Sequence, residues 1–183
     1  MKKDFECFGL TNDKKYEMDQ VNAKQKRQRR FLLIIILLTV AVIWGHSMMP
    51  RAVSSAESGQ FVSILSKLWA FFRINDDMAD HIVRKCAHFL EYAVLGGQLC
   101  LYRLLGTEGS IREAEPAAGM DQNPVIRSAT IALFVALTDE TIQIFSGRGS
   151  RVQDVWLDLC GAGAGAWILY GIWRNLRNDD TRH

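Results

Sequence analysis

The chain has 183 residues, 49% of them hydrophobic and 23% charged, so it can bury a sizeable core and is neither a disordered tail nor a disulfide-stapled miniprotein. A formal net charge of +2, from 22 Lys and Arg against 20 Asp and Glu, gives no reason to expect a nucleic-acid partner. The average hides an arrangement, because nine of the basic residues precede Phe31, and the long apolar stretches left behind them point to a membrane.

Residues 1–30 form a basic segment ending in Lys24-Gln25-Lys26-Arg27-Gln28-Arg29-Arg30, which abuts the apolar run from Phe31 to Trp44. The positive-inside rule keeps this end in the cytoplasm. A signal-peptide core is the alternative, with Val53-Ser54-Ser55-Ala56 loosely resembling a cleavage site. The long stretch before the apolar run and the distance to that site favour a spanning helix instead. Crossing a bilayer takes about 20 residues, so this helix must continue to near Pro50.

Between Arg51 and Arg84, Phe61, Ile64, Leu65, Leu68, Trp69 and Phe72 recur at helical spacing, which predicts an amphipathic helix. It either lies in the membrane interface or packs on the other helices as ordinary core. Further spans are predicted near 85–105, 125–145 and 154–173. The stretch 106–124, rich in Gly, Pro and acids, reads as a solvated loop, and 174–183 as a polar cytoplasmic tail. The expected fold is all-α, an integral membrane four-helix bundle over 31–173 with an additional amphipathic helix in the first outer loop.

Four crossings from a cytoplasmic N-terminus return the C-terminus to the cytoplasm, leaving 51–84 and 146–153 outside. Charge agrees, with 15 Lys and Arg on the inner segments against 7 on the outer ones, most of the bias coming from the N-terminal cluster. Cys7, Cys86, Cys100 and Cys160 lack C-x-x-C spacing, so neither a zinc knuckle nor a redox pair is expected. The last three, in apolar stretches, are expected to be small buried hydrophobes, with a Cys86–Cys160 bridge the one pairing to test.

A charged group at the centre of a membrane helix costs about 2.5–3.5 kcal/mol, so ionisable residues in the spans need a reason. Lys85, His88, Glu91 and Tyr92 open the second span, Asp139, Glu140 and Gln143 close the third, and Asp154 and Asp158 open the fourth. The topology places all of them at the outer ends. At 100° per residue, Lys85, His88 and Tyr92 share a face with Glu91 at its margin, and Asp139, Glu140 and Gln143 fall within one arc. Gly161 and Gly165 continue the stripe below Asp154 and Asp158, a small-xxx-small pattern that admits a neighbouring helix closely.

The acids outnumber Lys85, Arg148 and Arg151. Some carboxyls are held neutral, or His88 carries a proton, or a cation or basic ligand group completes the site; the alternative is a structural ion-pair network pinning helix ends. His88, Glu91, Asp139 and Glu140 are the candidates for moving a proton. Lys85, Tyr92, Gln143, Arg148, Asp154 and Asp158 are the candidates for holding a ligand, Arg148 by forking onto a phosphate or carboxylate. His-x-x-Glu spacing without a His-Glu-x-x-His signature does not make a metal site, so no metal and no cofactor is expected. His46 and His81 are expected to be ordinary solvated histidines.

Three linked blocks carry a resemblance. Lys85-x-x-His88-Phe-x-Glu91-Tyr92-x-x-Leu-Gly96, Asp139-Glu140-x-x-Gln143-x-Phe-x-x-Gly147-Arg148 and Asp154-x-x-x-Asp158-x-x-Gly161-x-x-x-Gly165 together resemble the VanZ-like family, over about Phe31 to Trp173 and including the Ser47…Ser54-Ser55 stretch. Asp158 stands where that family usually has Asn. The resemblance implies a multi-pass bacterial cell-membrane protein associated with lowered susceptibility to teicoplanin, without modification of the peptidoglycan stem peptide. Teicoplanin carries a fatty chain and acts at the outer face, the side on which the topology places the polar cluster.

Two functions compete. One is a surface module whose polar pocket binds a membrane lipid or a lipid-linked cell-wall precursor. The other is a membrane enzyme in which Lys85 and Arg148 clamp an anionic head group while His88, Glu91 or Glu140 moves a proton. Four short-looped helices without an inverted repeat make a transporter the weakest reading unless the chain assembles as a homo-oligomer.

Overall fold

The computed structural model describes residues 2–49, 63–64, 74–107, 123–146 and 151–180, and among these residues all regular structure is helical. The four helices are α1 (Lys2–Met48), α2 (Asp76–Thr107), α3 (Pro124–Phe145) and α4 (Val152–Asp180). Most of the expected amphipathic helix between Arg51 and Arg84 lies outside the described residues.

Three helices are longer than the apolar pattern predicts. The basic run contains no Gly or Pro, so α1 continues through it without a break and, at 47 residues, is about 70 Å long. Its last turn closes with the Met49 amide donating to the His46 carbonyl at 3.2 Å, just ahead of Pro50. α2 begins at Asp76, upstream of the expected start at Lys85. The Asn75 side chain accepts from the Met78 amide at 2.9 Å, and Asp76 and Asp77 complement the positive helix end. α3 is capped in the same way, Asn123 accepting from Val125 at 3.0 Å, with Pro124 in the first turn where its missing N–H is harmless. α4 continues past Trp173 to Asp180.

α1 and α4 are long and apolar enough to cross a membrane, over Met18–Met48 and Val152–Asp179. Only 22% of the most apolar stretch of each is buried, unlike the core helix of a soluble protein. α1 is nevertheless part of the bundle, since Leu32, Ile36 and Ile43 join Tyr92, Leu95, Leu99, Ala132, Ala136 and Ala162 in the main apolar cluster. The exterior carries Phe31, Ile34, Leu37, Leu38, Leu90, Phe134, Trp156 and Trp167, while Ser47, Ser128, Asp139, Glu140, Gln143 and Asp158 are buried. An apolar exterior around a core that also buries carboxyl groups is the distribution that lipid selects and water does not.

α2 packs most extensively on α4, and α1 and α4 each pack on both α2 and α3. The α2–α4 seam is backbone against backbone. A Cβ at Gly161 would collide with the Phe89 carbonyl, one at Gly165 with that of Ala93, and one at Gly96 with that of Ala162. The expected close approach along the small-residue stripe is therefore present, and it extends to Gly96 on the facing helix.

At the opposite end of α2 from the acids, α1 supplies what α2 lacks, for the last turn of α2 carries no basic residue. Gln25 donates to the Leu105 carbonyl at 2.6 Å. The Arg29 guanidinium lies 4.7 Å from the centre of the Tyr102 ring and next to Gly106. A cation there complements the negative end of the helix.

Candidate functional site

The polar residues converge where the ends of α1 and α3 meet the beginnings of α2 and α4. Asp139, Glu140 and Gln143 follow one another on the inward face of α3, and Ser47, the penultimate residue of α1, is fully buried against them. Gln143 Nε2 donates to Asp139 Oδ2 at 3.1 Å and to Ser47 Oγ at 3.3 Å. Ser146 Oγ donates to the Ser47 carbonyl at 3.1 Å. One amide and two hydroxyls thus tie α1 to the end of α3.

From α2, Tyr92 enters the interior with no exposed surface. Its hydroxyl has no hydrogen-bond partner and lies within electrostatic reach of Asp139, Asp158, Glu140 and Glu91. From α4, Asp158 is 2% exposed and within reach of Asp139, Glu140, Asp154 and Lys85. One oxygen each of Asp139 and Asp158 is buried without a hydrogen-bond partner. Glu140 accepts the Arg151 backbone amide at 3.2 Å.

Around this interior lie two partly exposed pairs. Lys85 forms an ion pair with Asp154, joining α2 to α4. His46 Nδ1 and Glu91 Oε1 are 2.7 Å apart, joining α1 to α2. His88 Nδ1 stands 3.7 Å from the other Glu91 oxygen, too far for a hydrogen bond. The histidine within hydrogen-bond distance of a carboxylate is therefore His46, which is exposed to solvent as expected but paired with Glu91. The clue in the sequence is its place next to Ser47, at the same end of α1 as the acids of the other helices.

All the sequence-predicted candidates among the described residues come together here: Lys85, His88, Glu91, Tyr92, Asp139, Glu140, Gln143, Asp154 and Asp158. Arg148 lies outside the described residues. Of the bases set against these acids in the sequence, Lys85 takes Asp154, and Arg151 meets Glu140 through its backbone amide. The cysteines are corrected as well. Cys86, Cys100 and Cys160 are all free, Cys100 is buried, and Cys86 and Cys160 are exposed because they fall on the outward faces of α2 and α4. Among the described residues no group of three His, Cys, Asp or Glu is arranged to hold a metal ion.

The family model described as VanZ/LLP1 matches residues 31–174, the segment that contains every residue of this cluster. The chain belongs to the VanZ/LLP1 family. Membership together with the two membrane-length apolar helices makes it a membrane protein, and the family name carries the link to glycopeptide resistance. No curated protein and no solved structure matches the chain.

What this VanZ/LLP1 arrangement can do chemically follows from its inventory. Carboxylates supply acceptors, Gln143 and the Ser47 hydroxyl are internally engaged, and the Tyr92 hydroxyl is uncommitted. The interior is equipped to receive hydrogen-bond donors and positive charge, more than to grip an anion.

Proposed function

We propose that this chain is a four-span protein of the bacterial cell membrane that lowers susceptibility to teicoplanin-type glycopeptides through an outward-facing polar pocket binding a lipid or a lipid-linked cell-envelope component. Both termini are cytoplasmic. The basic run Lys24–Arg30 anchors α1 on the inner side, and the polar cluster opens on the outer side. At 22 residues, α3 is about 33 Å long, enough to cross the hydrocarbon core.

The observation that carries this reading is the burial of Asp139, Glu140 and Asp158 together at one end of an apolar-surfaced bundle. Ionisable groups at membrane depth are costly and mark ligand or ion pathways, and this cluster sits in the matched segment of the family model. A second reading, a membrane enzyme acting on an anionic lipid head group, draws on the His46–Glu91 contact, since a carboxylate that orients an imidazole is the usual support of a general base. Turnover of an isolated lipid by the purified protein separates the two.

The test is teicoplanin susceptibility of a sensitive host expressing wild type or Glu140→Gln at matched membrane abundance. Wild type is expected to protect, with protection lost in the variant. Equal protection by both removes Glu140 from the working site, and protection by neither overturns the resistance reading for this chain.

A further inference from the structure

Two of the buried carboxyl groups, those of Asp139 and Asp158, each keep an oxygen without a hydrogen-bond partner. Asp139 and Asp158 are at most 2% exposed; of the described bases nearby, His88 is in electrostatic reach of Asp139 with its Nδ1 lacking a hydrogen-bond partner, while two others are committed at the rim. Lys85 is paired with Asp154 and His46 with Glu91. Among the buried atoms without a hydrogen-bond partner are an oxygen of Asp139, an oxygen of Asp158 and the hydroxyl of Tyr92, a residue that is fully buried and in reach of both acids. These are acceptors, with the phenol able to accept and donate.

From the unpartnered buried acceptors and the uncommitted Tyr92 hydroxyl, we infer that the ligand presents a primary ammonium group, as an aminophospholipid head group does, and that Asp139, Asp158 and Tyr92 receive it. This rests on the lipid-binding reading and names the chemistry of its ligand. A primary ammonium offers three N–H donors, no acceptor and a compact positive charge, which suits two carboxylate oxygens and a phenol. A quaternary ammonium has the charge without the donors. A multivalent metal fits less well, because among the described residues the acids do not form a three-ligand metal group. Gln143, tied to Asp139 and Ser47, holds Asp139 in place and is a positioning residue.

The full chain, purified in mild detergent, is titrated calorimetrically with dihexanoyl-phosphatidylethanolamine, dihexanoyl-phosphatidylcholine and dihexanoyl-phosphatidylglycerol below their micellar concentrations. The ethanolamine lipid is expected to bind about ten-fold tighter than the other two, the worth of one charge-assisted hydrogen bond. The double variant Asp139→Asn/Asp158→Asn is expected to bring the three within about two-fold of one another. Tyr92→Phe keeps the packed ring and is expected to reduce the preference several-fold, which covers the case in which the double variant fails to fold. Equal binding of the ethanolamine and choline lipids, or tighter binding of the glycerol lipid, overturns the ammonium assignment and leaves lipid binding standing. Binding of none of them above the level of an unrelated helical membrane protein overturns both. A preference for the ethanolamine lipid that survives Tyr92→Phe and the double variant unchanged overturns the assignment to these residues.

Discussion

Replacing Gly165 by Ala tests the α2–α4 seam at its tightest point. A Cβ there would lie 2.6 Å from the carbonyl carbon of Ala93 and 2.9 Å from its Cα, whereas carbon atoms in ordinary contact are about 3.5–4.0 Å apart. The obstacle is backbone, which cannot rotate aside, so the helices must separate by about 1 Å. Overpacking of this kind costs about 1–3 kcal/mol, against a helix-propensity gain of about 0.5–1 kcal/mol for Gly to Ala. Gly163, two residues away on the same helix, has nothing within 4 Å of the position an added methyl would take, so Gly163→Ala keeps the gain without the clash. Because both variants share the propensity term, the difference between them isolates the steric one, about 1–3 kcal/mol in favour of Gly163→Ala. The assay is loss of the native near-ultraviolet signal on SDS titration of each purified variant. Coincident transitions for Gly163→Ala and Gly165→Ala would refute the close backbone approach. The same displacement shifts Asp158, two turns away on α4, relative to Tyr92, so Gly165→Ala is also expected to weaken protection against teicoplanin at matched abundance.

Lys85→Met strips Asp154 of its partner and is expected to lower the yield of folded protein, with Asp154→Asn in the same chain restoring much of it; pulse-chase and gel filtration of the four combinations read the coupling. Arg29→Ala is expected to cost about 1 kcal/mol by uncapping the end of α2 and removing the stack on Tyr102, with Arg29→Lys intermediate, measured by the same SDS titration. Cys86, exposed one residue beyond Lys85, is expected to react with a membrane-impermeant maleimide added to intact cells while buried Cys100 does not; labelling of Cys86 only after lysis reverses the topology.

Composition and spacing make much of this arrangement readable. The apolar run after Phe31 identifies α1, and the 100° rotation per residue turns Asp139, Glu140 and Gln143 to one side, where α3 indeed buries them. Helix limits are harder to read, because apolar patterning reports where lipid or core lies and not where the backbone ladder stops. The basic run before Phe31 and the acidic turn at Asp76 are polar and still helical. Their signals are local, namely good helix formers in the first and an Asn75 cap in the second. Facing of the cysteines is harder still, for Cys86, Cys100 and Cys160 sit in equally apolar surroundings in sequence and only Cys100 turns inward.

Partner choice is where sequence reasoning stops, and the reason bears on the chemistry. Which acid Lys85 meets depends on how far α4 is slid along α2, a register set by Gly161 and Gly165 seating on Phe89 and Ala93 and not by either charged residue. In that register Lys85 meets Asp154, the acid in the first turn of α4, while Asp158 lies one turn further along the helix. His46 does the same for Glu91 from α1. The two pairings take up the acids at the rim, and behind them Asp139 and Asp158 each bury an oxygen without a hydrogen-bond partner. The acids counted in excess along the chain are therefore answered in part at the rim. The unpartnered oxygens lie in the interior, where a positively charged ligand group gains most from the low dielectric.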